Sequence, residues 1–124
     1  MRKFAVALAA LFMLAVVPQA AAAPPSSIFG GEITCTTQAQ PDGRTLCSGP
    51  GGPDSNAPAN TVPSFDGVPI DVNVAFPNAQ TFGDGPYPLA MYFHGFGGGK
   101  EGFDGDLKRF TDLGFAAFSM TERG

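Results

Sequence analysis

The chain has no tryptophan, a single histidine, His94, and only two cysteines, and charged residues make up just 15% of its 124 positions. Each scarcity excludes something. Two cysteines without a nearby histidine fall two ligands short of a tetrahedral zinc site, so no metal is expected, and no cofactor either. Seven basic against eleven acidic side chains give a net charge of −4 and no basic stripe able to neutralise a phosphate backbone, which excludes nucleic acid as a partner. Repeats and heptads are missing, and the length allows at most one modest domain. What the chain does have is glycine (17), proline (12) and phenylalanine (12). The glycine and proline content stops just short of low-complexity disorder, and the phenylalanines supply material for a core.

Residues 1–23 read as a secretory signal peptide. Arg2 and Lys3 precede an apolar run from Phe4 to Val17, and Pro18, Gln19 and the alanines Ala20 to Ala23 follow as a small-residue cleavage site. The run is short for a membrane span, which needs roughly twenty apolar residues. Cleavage would remove two basic groups and leave five against eleven acidic ones. The expected product is an acidic, secreted or extracytoplasmic protein with no membrane contact once the signal is gone. In an oxidising compartment Cys35 and Cys47 are expected to form a disulfide, and a loop of that size is stabilised by roughly 3 kcal/mol in the chain-entropy model.

Three segments follow from composition and periodicity. Residues 24–60 are expected to be loose, because SGPGGPDSNAPA (48–59) contains nothing large to bury. Residues 61–124 are expected to fold. Val62 to Phe65, the Asp66-Gly67 turn and Val68 to Phe76 read as an antiparallel hairpin, with Ile70, Val72, Val74 and Phe76 inward and Asp71 and Asn73 on a wet face. Tyr87 to Phe93 reads as a strand buried on both faces. Phe103, Leu107, Phe110 and Leu113 form one stripe of a helix from Asp104 to Gly114, and Phe115 to Met120 is a further strand. The order specifies an α/β class, namely the opening of a parallel sheet with a crossover helix, and it leaves a sheet face and an edge uncovered.

Chemistry can concentrate only in the glycine-rich turn from His94 to Lys100, where main-chain amides can be aimed at a negative oxygen. A phosphate-binding loop ending in Gly99-Lys100 fails, because it puts His94 at the first glycine and Glu101 at the hydroxyl position. A dinucleotide fingerprint fits Gly97, Gly99 and Gly102, with Glu122 about twenty residues on, and stays open as a lesser reading. The third reading is the oxyanion turn that follows the third strand of an α/β-hydrolase. A turn without a catalytic task is the plain alternative.

On SFDGVPIDVNVAFP, GPYPLAMYFHGFGGGKEGF and LGFAAFSMTERG, residues 61–124 resemble the N-terminal part of secreted α/β-hydrolases of the X-Pro dipeptidyl-peptidase and cocaine-esterase-type acyl esterase family. The resemblance implies an incomplete α/β-hydrolase fold and, for a full-length member, hydrolysis of a small ester or peptide substrate. It implies that Phe96 donates an oxyanion N–H, that Gly95 and Gly97 permit the turn, and that His94 supports the loop without being the triad base. The nucleophile of this fold sits in G-x-S-x-G, and none of Ser26, Ser27, Ser48, Ser55, Ser64 or Ser119 has that setting. The chain by itself is therefore expected to be inactive, as part of a longer hydrolase. The alternative from another class is a small secreted, non-enzymatic interaction module.

Overall fold

The computed structural model describes residues 23–48 and 61–121. All but the last residue of the signal-peptide reading (1–23), most of the proline- and glycine-rich stretch and Glu122 lie outside them. Within them the strands are β1 (Ser27–Ile28), β2 (Ile33–Thr37), β3 (Thr45–Ser48), β4 (Thr61–Pro63), β5 (Pro69–Phe76), β6 (Leu89–Phe93) and β7 (Ala116–Met120). The helices are α1 (Ala79–Phe82) and α2 (Asp106–Thr111), and a 3₁₀ turn at Phe29–Gly31 joins the first two strands.

All seven strands belong to one mixed sheet in the order β1-β2-β3-β5-β7-β6, with β4 also on β5. The eight-residue β5 is its spine. One edge of β5 pairs antiparallel with β3 through Thr45 opposite Phe76 and with β4 through Val62 opposite Ile70, while the other edge takes β7. The hairpin expected around Asp66-Gly67 is present: Gly67 N–H donates to Ser64 O and Ser64 N–H to Val68 O. Its partner feature is a parallel pair, β6 and β7, in register from Leu89 opposite Ala116 to Phe93 opposite Met120, with α2 between them in sequence. An α/β class is therefore in place.

Side-chain burial follows the strand period, with two corrections. Ile33, Cys47, Val72 and Val74 form one buried cluster, and Ala75, Phe103, Leu107 and Ala117 form another across the sheet. The face of β5 expected to be wet is covered: Asn73 is fully buried and Asp71 is ion-paired, because the chain between Gly99 and Phe103 folds back over them. Conversely, β6 is an edge strand. Ala90 and Tyr92 are partly covered, but Leu89, Met91 and Phe93 are each about half exposed on the other face, so the expectation of double burial fails.

The helix is shorter than its apolar stripe. It ends at Thr111, and the chain turns away at Gly114 (φ 85°), where Phe115 N–H returns to Phe110 O and Gly114 N–H to Thr111 O. Leu113 falls past the last turn and is 70% exposed, whereas Phe103, Leu107 and Phe110 pack inward as expected.

Residues 24–48, expected to be loose, are built into the sheet instead. Cys35 and Cys47 face each other across β2 and β3 with a Cα–Cα distance of 3.9 Å and are joined as a disulfide. Arg44 is buried and chelates the carboxylate of Asp42 (2.6 and 2.9 Å), while its third nitrogen donates to Phe103 O at 2.7 Å. One guanidinium thus fastens the N-terminal strands to the arm that precedes α2.

Candidate functional site

The turn His94–Gly99 leaves the carboxyl end of β6, at the rim where the parallel pair terminates. Gly98 N–H donates to Gly95 O at 3.0 Å, and Gly97 has φ 75°, the left-handed value a type II turn demands at its third position. Phe96 occupies the second position. Its side chain is fully exposed, and among the described residues its N–H makes no hydrogen bond. His94 lies beneath the turn. Its Nδ1 donates to Gly95 O at 2.8 Å, and Gly98 passes so close that a Cβ there would lie 2.9 Å from the His94 Cβ. The turn therefore leaves the Phe96 amide, like those of its glycine neighbours Gly95 and Gly97, without a hydrogen bond among the described residues, and holds its shape by local contacts.

Past Gly99 the backbone is fastened to the sheet. Lys100 N–H donates to Thr121 Oγ1 (3.1 Å) and Glu101 N–H to Ser119 Oγ (2.8 Å), and Asn73 Nδ2 donates to Glu101 O (2.9 Å). The Lys100 ammonium is buried and reaches Asp71 Oδ1 at 2.7 Å and Val72 O at 3.5 Å. A buried ammonium is tolerated only with such a carboxylate and carbonyl partner. The amides of Lys100 and Glu101, which a dinucleotide-type loop would aim at a phosphate, are thus already spent on side chains of the sheet.

The sequence-derived residues His94, Gly95, Phe96 and Gly97 come together in this one turn. The Cys35–Cys47 pair belongs to the opposite flank of the sheet, where its role is structural. Ser119 is fully buried and its Oγ accepts from Glu101, so it is not poised as a nucleophile. No group of three or more histidine, cysteine, aspartate or glutamate side chains able to hold a metal occurs among the described residues. The anchoring set of Asp71, Asn73, Lys100, Ser119 and Thr121 escapes periodicity arguments. Its signal is a lone polar residue inside an apolar strand, Asn73 in VNV and Ser119 in FSM, which requires a partner when buried.

The chain matches no protein-family model, and neither a curated protein nor a solved structure matches it.

Proposed function

We propose that this chain supplies the oxyanion turn of an exported α/β-type serine hydrolase acting on small acyl ester or peptide substrates, of the X-Pro dipeptidyl-peptidase and acyl esterase kind that its sequence resembles. The observation that carries the reading is the unbonded Phe96 N–H at the carboxyl rim of a parallel strand, on a turn anchored from behind. Such an amide costs no reorganisation when a carbonyl oxygen becomes an oxyanion 2.7–3.1 Å away, roughly the separation this kind of stabilisation requires. In this reading serine attack, proton transfer and acyl-enzyme hydrolysis depend on a nucleophile, an acid and a base encoded beyond these 124 residues.

The test joins the chain to the coding sequence that follows Gly124 in its gene and measures fluorophosphonate labelling together with hydrolysis of p-nitrophenyl acetate and an X-Pro anilide. Labelling of one G-x-S-x-G serine is expected, and none in the 124-residue chain. Phe96→Pro is the decisive variant, since proline suits the second position of a type II turn yet has no N–H. It should lower kcat by about 10²- to 10³-fold relative to Phe96→Ala, which keeps the amide. A following frame without such a serine, or equal rates for the two variants, would remove the proposal and leave the non-enzymatic module.

A further inference from the structure

At the end of the sheet away from the glycine-rich turn, where Thr45 lies opposite Phe76 and Leu89 opposite Ala116, there is a cleft of about 260 Å³. The β2–β3 loop, α1 with the residue before it, and the end of α2 supply its walls. These walls are braced against one another. Asn78 Nδ2 donates across to Gln40 Oε1 (3.2 Å) and Asp42 O (3.1 Å), and a Cβ on Gly43 would collide with the Asn78 side chain. The Phe82 ring rests on Gly114, where a Cβ would come within 2.8 Å of it. Arg44 and Thr111, 3% and 1% exposed, form the floor, whereas Pro41, Thr81, Phe82 and Asp112 are exposed at the rim.

Charge in the lining is already balanced. Asp42 accepts two N–H groups from Arg44, and both oxygens of Asp112 accept from Lys108 Nζ (2.9 and 2.7 Å). An organic cation in the cleft would therefore lie beside Arg44 and Lys108, and an anion beside the two carboxylates. What the lining offers is acceptor capacity. Each carboxylate oxygen keeps a second lone pair, and Thr111 Oγ1 gives its proton to a backbone carbonyl of α2 and keeps its own lone pairs. The Thr81 hydroxyl makes no hydrogen bond among the described residues. A wholly apolar ligand would strip water from these oxygens without replacing it. A ligand rich in O–H groups satisfies them, and O–H bonds to a carboxylate are of the strong, charge-assisted kind.

Pro41 and Phe82 add apolar surface for the C–H face of a saturated ring. Pockets for drug-sized ligands hold roughly 300–1,000 Å³, so this smaller cleft admits one ring with its substituents. We propose that it binds a single neutral pyranose unit, whose hydroxyls donate to Asp42, Asp112 and Thr81 while its C–H face lies against Phe82. The site is remote from the Phe96 turn. It goes beyond the hydrolase reading and does not rest on it.

Titration of the full, isotope-labelled chain with the methyl pyranosides of glucose, galactose and mannose, followed in amide proton–nitrogen spectra, tests the assignment. At least one should shift the amides of Thr81, Phe82, Thr111 and Asp112 saturably, with a Kd on the order of 1–10 mM, while those of residues 95–99 stay in place. Added salt at about 0.5 M should leave that Kd unchanged, because the ligand is neutral. Phe82→Ala should weaken binding by about tenfold. Since Phe82 also packs on Gly114, the second variant is Thr81→Val, which keeps the β-branched shape, loses only an exposed hydroxyl and should weaken binding about three- to tenfold. A trisaccharide ending in the same ring that binds as tightly identifies the end of a glycan as the ligand, and weaker binding identifies the free sugar. The proposal is overturned if no pyranoside gives saturable shifts at these positions up to about 100 mM. It is equally overturned if cyclohexylammonium or benzoate binds there more tightly than all three, or if Thr81→Val binds as well as the parent.

Discussion

Arg44 joins distant parts of the chain through a single side chain. It is almost wholly buried, its guanidinium is satisfied by Asp42, Phe103 O and Asp104, and the last two contacts span about half of the chain. Arg44→Ala removes the fork and leaves Phe103 O without its donor, so it should destabilise the protein by about 3 kcal/mol in urea unfolding. The same contact sets a pH dependence. The hydrogen bonds from Arg44 hold the Asp42 carboxyl below its ordinary value of 3.8, against a smaller opposing effect of burial. Because the folded-state value is the depressed one, this contribution is complete above the unfolded value and is lost as the pH falls through the folded one. Asp42→Asn should therefore be less stable than the parent at neutral pH and lose less on acidification below about pH 4. Parallel acid limbs in the two unfolding profiles would contradict this assignment.

At the scale of elements, the exposed strand β6 invites a direct measurement. Its free edge and its half-exposed Leu89, Met91 and Phe93 form the kind of uncharged strand that pairs with other chains. Met91→Lys should lower self-association in light scattering while changing stability by no more than about 0.5 kcal/mol, since the substituted side chain already faces water. Strands β4, β5, β6 and β7 were legible because their apolar runs or period-two alternation are bounded by turn residues. Strands β2 and β3 were not: ITCTT and TLCS are short, rich in threonine, and hold no apolar face longer than two residues. The burial of Asn73 was hidden for a different reason. Its cover comes from Glu101, 28 positions away, and no local pattern announces a contact of that range. The turn itself could be read from its glycines, whereas the side chains that brace it could not.

For the molecule as a whole, the sheet joins two stretches of unlike composition into one unit. The N-terminal strands contribute Ile33 and Cys47 to the cluster that holds Val72 and Val74, so they are part of the interior. The disulfide closes a separation of 12 residues within that part. Reducing it should lower the unfolding free energy by roughly 3 kcal/mol, read as a shift of the urea midpoint with and without dithiothreitol. An unchanged midpoint would mean that β1 to β3 unfold independently of the rest. No helix among the described residues is long and apolar enough to cross a membrane.

The bend that bears Phe96 is supported unequally. Behind it, six polar contacts tie residues 100 to 103 to the sheet and the chain beside it; ahead of it stands a strand that, among the described residues, has a neighbour on one side only. The two sides of the turn therefore differ in the number of bonds that hold them. The segment before Phe96 rests on the pairing of β6 with β7, whereas the segment after it is bound by side chains from β5, from β7 and from the chain beside them.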